Sequence, residues 1–162
     1  MSARQRTIAI AAAGLLAAGA GAGAAMGDPG APRNGHATAI RLVGHETDVG
    51  QIDLGQAGAS LGDEVVFHGA LRDASDSRDV GHFEGILTAV TPDGESLYEA
   101  RVVLALPQGQ IAVEGELDFS AEEPFVHAIS GGTGAYRTAR GEFSFRHTQT
   151  QSVIAITLAL KG

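Results

Sequence analysis

From residue 38 onward the chain alternates apolar and polar positions with a period of two and never settles into a helical period. That pattern predicts strands over 38–44, 64–72, 79–90, 96–106, 110–119, 125–130, 142–148 and 152–160. Turn formers divide them: DASDS at 73–77, TPDG at 91–94, and Pro107, Gln108 and Gly109 as a tight hairpin between two strong strands. The connection from 50 to 62 is longer and rich in glycine. Eight short strands without a helix imply an all-β sandwich or barrel.

Side chains alternate across a sheet, so strand parity sorts residues by face. In the third strand Gly81, Phe83, Gly85, Leu87 and Ala89 share one face; in the fourth, Tyr98, Ala100, Val102, Leu104 and Leu106; in the fifth, Ile111, Val113, Gly115, Leu117 and Phe119. These apolar faces belong inside. Their small residues either let a narrow barrel close around larger neighbours or leave room for one small ligand. The opposite faces carry charge but keep some valine and isoleucine, as a barrel covered by copies of itself in a dimer or trimer would.

The 162 residues include an N-terminal stretch of different character. Arg4 and Arg6 precede an apolar run from Ile8 to Ala25 with small-x-small sites near its end, the pattern of an export signal over 1–26. Residues 27–37 (GDPGAPRNGHA) read as a flexible leader to a domain at 38–162. The expected location is therefore secreted or cell envelope, with no stable membrane insertion after cleavage. The formal charge of −8 becomes −10 without Arg4 and Arg6, which argues against nucleic acid and anionic lipid as partners. With no cysteine, disulfides and thiolate chemistry are excluded.

The richest local signal is Gly131, Gly132, Thr133, Gly134, Tyr136, Arg140 and Gly141, within AISGGTGAYRTARG. It resembles the GGTG-x-[YF]-x-x-A-x-G signature of the allene oxide cyclase and dirigent-protein superfamily. Further ordered matches run from Leu61 to the C-terminus: LGD-x-V-x-F at 61–67, VG-x-x-x-G at 80–85, YEA at 98–100 and GQIAVEG at 109–115. The resemblance implies an eight-stranded antiparallel β-barrel that binds an apolar small molecule and steers its cyclisation or coupling without a cofactor. Plant allene oxide cyclases use a Glu-x-Asn pair on the first strand, and here those positions fall on Val43 and His45. Their cavity cysteine falls on Leu87. Both departures speak against allene oxide cyclase activity itself. Bacterial relatives that shape cycloadditions work mainly by positioning, which suits an apolar interior.

The residues expected to line the interior are Val43, Val65, Phe67, Phe83 and Leu87, with Val102, Val113 and Leu117. His45 and Tyr98 are the polar candidates for catalysis. Six histidines show no metal-ligand spacing, so no metal is expected; His68 and His82 read as a chance pair on neighbouring strands. A G-x-S-x-G context is missing around Ser130 and Thr133, which excludes a serine hydrolase of that type. The alternative to a cyclase is a non-catalytic carrier or structural envelope protein that keeps the barrel and has lost the chemistry.

Overall fold

The computed structural model describes residues 38–55, 57–94, 96–150 and 153–161. The expected export signal and leader lie outside the described residues. Eight strands follow in order: β1 (Thr38–Ile52), β2 (Glu64–Asp73), β3 (Asp79–Ala89), β4 (Leu97–Leu106), β5 (Gly109–Asp118), β6 (Phe125–Gly132), β7 (Arg140–His147) and β8 (Val153–Lys161). Each pairs antiparallel with the next, and β8 returns to β1, so the sheet is a closed barrel. Closure gives every described strand two neighbours, although β1 beyond His45 pairs with β2 alone.

The inner rows on β3, β4 and β5 are those the alternation predicts. Phe83, Ala100, Leu104, Ile111, Val113 and Leu117 are buried, and their sequence neighbours face outward. The first strand departs from expectation in length and in parity. It runs on to Ile52, eight residues past the predicted end, because its backbone stays paired with β2 as far as Glu64. The segment HETDVGQI hides this, since little of its outer end is covered and it carries no apolar alternation. A bulge between Glu46 and Asp48 shifts the register there.

One half of the interior is densely filled. Leu42, Leu71, Phe83, Leu104, Ile111, Val113, Ile129, Phe143, Ile154, Ile156 and Leu158 form a single buried cluster, closed over by Ala139 and Tyr136. The glycine corner makes that lid. Thr133 donates its backbone N–H to the Gln110 carbonyl at 2.8 Å, and its Oγ1 accepts from the Gln110 N–H at 3.0 Å. Gly134 (φ +57°) lies against the Gln108 carbonyl, and Gly141 (φ +138°) against that of Ala159. Both backbone angles favour glycine, and neither position has space for a Cβ. Arg140 donates to the Ala139 carbonyl at 2.7 Å. The motif is thus a clasp that seats the turn after β6 on the β4–β5 hairpin.

The small inner residues have a structural use. A Cβ at Gly44 would strike Ile154 and crowd the Phe83 ring, one at Gly69 would strike the Phe83 ring, one at Gly85 the Phe67 ring, and one at Gly115 the His127 ring. Four glycines therefore make room for three large rings, filling volume at those levels.

Candidate functional site

The other end of the barrel differs. Leu87, Ala100, Leu117 and Phe125 are buried there, while inward-facing Val65, Phe67, Tyr98, Phe119 and Phe145 are only partly covered. With four buried core residues among those described against twelve in the filled half, this end is termed the mouth. The β1–β2 loop borders it, fastened by Asp63, which accepts from the Leu54 and Ser60 N–H groups at 2.8 Å each. The Leu54 bond is the largest influence holding the Asp63 carboxyl below its ordinary range, with Ser60 adding to it.

An aromatic wall lines β4 to β7. Ring centroids step from Tyr98 to Phe119 (5.5 Å), Phe119 to Phe125 (6.2 Å) and Phe125 to Phe145 (5.2 Å). Phe145 then meets His127, stacked at 5.9 Å, and His147 at 6.0 Å. The strand alternation places Phe125, His127 and Ile129 in one inward row of β6, and Phe143, Phe145 and His147 in one row of β7.

Three ionisable groups join this wall from the inner parity. Glu46 follows Leu42 and Gly44 in the inward row of β1 and is half-buried opposite Gly69. Burial raises its carboxyl above the usual range, partly countered by the charge of His147. His147 Nδ1 lies 2.5 Å from Glu123 Oε1, and the His147 N–H donates to the other Glu123 oxygen at 3.1 Å. His127 is 5% exposed and its Nδ1 has no hydrogen-bond partner. Burial pushes its pKa down, so the ring is held toward its neutral form. This end thus combines aromatic rings with a buried imidazole held toward its neutral form and a carboxyl that burial disfavours from ionising.

Among the residues singled out from sequence, Val65, Phe67, Leu87, Tyr98 and Leu117 come together at the mouth. Phe83 and Val113 lie in the filled half, with Val102 packed against it. Val43 and His45 are corrected. They pair with Arg72 and Ala70, sharing the outer face, because Leu42 and Gly44 occupy the inward parity. His45 Nε2 meets Asp76 at 2.6 Å outside the barrel. Tyr98 donates its hydroxyl to the Gly94 carbonyl at 2.7 Å, tying the β3–β4 turn to the wall.

Glu46, His127, Phe125 and Phe145 are not among the site residues expected from sequence. The signal was present: Ile40, Leu42 and Gly44 alternate with Arg41, Val43 and His45, and the next inward position is Glu46. Among the described residues no cluster of three His, Cys, Asp or Glu side chains could hold a metal ion. His68 and His82 do face one another, rings 5.6 Å apart, on the outer surface.

A concavity of about 820 Å³ lies outside the barrel across β1 to β5. Its walls are the outward residues Val66, His68, Glu84, Ile86, Arg101, Val103 and Glu114.

The model of the family described as "Dirigent-like protein" matches residues 30–160. The chain belongs to the dirigent-like family. No curated protein sequence matches it. Among solved structures, this dirigent-like barrel is similar to a pyocyanin demethylase, at 23% identity and a TM-score of 0.64, over 75% of this chain and 99% of that one. It is similar to AbnU, an exo-specific intermolecular Diels-Alderase, at 19% identity and 0.63, over 80% and 99%. A pterocarpan synthase dirigent protein gives 19% and 0.62, over 85% and 96%. At these identities the likeness is one of fold.

Proposed function

We propose that this dirigent-like barrel binds an apolar small molecule at its aromatic mouth and steers the cyclisation or coupling of that molecule by holding it in a reactive shape. The observation that carries the reading is the half-covered ring wall from Tyr98 to Phe145, set beside Glu46 and His127 at one end of an otherwise filled barrel. Holding reacting atoms together supplies several kcal/mol of a barrier without acid–base chemistry. The structural neighbours described as a Diels-Alderase and a dirigent protein support a steering role. The reading includes export by residues 1–26 and action in the envelope or outside the cell.

A homo-oligomer belongs to the same reading. The outer groove has apolar walls at Val66, Ile86 and Val103, with Glu84 and Glu114 near Arg101, so a second copy can set unlike charges against each other.

One observation favours the alternative of a carrier or structural protein without chemistry: Gly44, Gly69, Gly85 and Gly115 serve neighbouring rings. Native mass spectrometry on processed protein from its native cells separates the two. A bound apolar mass, converted to a cyclised or coupled product on incubation, is the expected result. Protein that stays empty after incubation with lipid and polyketide extracts of those cells would overturn the binding reading. A mass bound and released unchanged would leave a carrier.

A further inference from the structure

His127 is the buried polar side chain of the barrel interior among the described residues. Its ring is stacked on Phe145 at an interplanar angle of 15° and tilted against Phe143 at 6.1 Å. Neither ring nitrogen has a hydrogen-bond partner among the described residues, and the two nitrogens are not equivalent. Nδ1 is sealed from solvent and lies over Gly115, whose missing side chain makes the room. A proton there would be a buried donor with no acceptor, and a bare lone pair is the cheaper arrangement. The neutral ring therefore carries its proton on Nε2, which is not sealed in this way.

We infer that the Nε2–H of His127 is the hydrogen-bond donor for a ligand in the mouth, and that this ligand is a flat conjugated carbonyl compound whose oxygen accepts the bond. The inference rests on the binding reading above and adds the ligand's chemical class. A neutral oxygen is favoured over a carboxylate because Glu46 faces inward and Glu123 stands over the same end. Conjugation is favoured because the neighbouring side chains are aromatic rings, against which planar π systems pack well. A hydrogen bond to such a carbonyl fixes the ligand's orientation and draws electron density from the adjoining double bond, which activates that bond toward addition.

The test uses the full chain and two probes on one fused-ring skeleton, 2-methyl-1,4-naphthoquinone and 2-methylnaphthalene. The chain has no cysteine, so thiol addition cannot consume the quinone. Calorimetry is expected to show the quinone binding at least tenfold more tightly than the hydrocarbon. His127→Phe is expected to bring it down to the hydrocarbon's level, so that the variant no longer distinguishes the two probes. Equal affinities for the two probes would overturn the inference and leave the apolar site standing. Binding of neither would overturn both. A quinone preference that survives His127→Phe would place the donor elsewhere and also overturn it. Long-range ¹⁵N spectra of the unmutated, histidine-labelled protein provide a check that needs no variant to fold. The expected result is a neutral Nε2–H tautomer at residue 127; an Nδ1–H tautomer would contradict the proposal.

Discussion

Gly115→Ala probes most sharply how the barrel's small residues are used. A Cβ there would stand 3.0 Å from Cγ and 3.1 Å from Cβ of His127, and closer still to Nδ1, whereas ordinary contact starts near 3.4 Å. The His127 ring would have to retreat by several tenths of an ångström to about 1 Å, into Phe143 and Phe145. Overpacking of this kind costs about 1–3 kcal/mol. Lower chain entropy in the unfolded state offsets about 0.4–1 kcal/mol of that. The expected net loss is about 1–2 kcal/mol, or roughly 3–10 °C in Tm for a domain of this size. Repeating the substitution in a His127→Ala background removes the opposing ring. There the added methyl still meets the Cβ of residue 127 at 3.1 Å but no ring, and is expected to be neutral within about 0.5 kcal/mol. Urea unfolding of the four proteins gives the coupling energy, expected at about 1 kcal/mol or more. A loss of equal size in both backgrounds would refute the argument that glycine serves the histidine ring.

Other outcomes follow from the same geometry. Gly141→Ala puts a Cβ on the Ala159 carbonyl at φ +138° and is expected to cost more than about 3 kcal/mol. Gly131→Ala, with only the Arg140 guanidinium 3.7 Å away, is expected to stay within about 0.5 kcal/mol in the same urea titration. The His127 pKa is depressed in the fold, so its contribution is present above about pH 6.5 and is lost as pH falls through the folded value. His127→Phe should flatten that limb of a midpoint-versus-pH plot. Glu46 has the opposite sign: stability is full below its unfolded value of 4.5 and declines as pH rises through the raised one, and Glu46→Gln should remove the decline. Leu87→Trp is expected to abolish naphthoquinone binding while unfolding stays cooperative; affinity unchanged by it would displace the site from the mouth. Ile86→Glu puts a charge in the outer groove and should yield monomers in sedimentation where the parent protein associates.

The fold was legible almost throughout because its signals are local and strong. Period-two alternation fixes the inner face of β3, β4 and β5, and the turn residues at Asp73, Pro92 and Pro107 separate the strands. The glycine corner announced the family because its glycines answer to backbone contacts at Gln108 and Ala159 that tolerate no side chain. The site was less legible. Placing Val43 and His45 inside came from aligning a resemblance, while the strand's own alternation of Ile40, Leu42 and Gly44 pointed to Glu46. The aromatic wall is assembled across β4, β5, β6 and β7, and its rings meet only once pairing such as Phe125 with Phe145 is known. Nor can sequence show that His127 lacks a partner, because that depends on Gly115 from another strand lying over Nδ1.

The central claim is that ligand enters the mouth and not the groove outside. Adjacent residues report on opposite faces: Leu87 and Leu117 point in at the mouth, Ile86 and Val103 out into the groove. Methyl spectra of labelled protein titrated with 2-methyl-1,4-naphthoquinone read both at once. The account predicts saturable shifts at Leu87 and Leu117 with Ile86 and Val103 unmoved. Shifts confined to Ile86 and Val103, or none at any of the four, would contradict it.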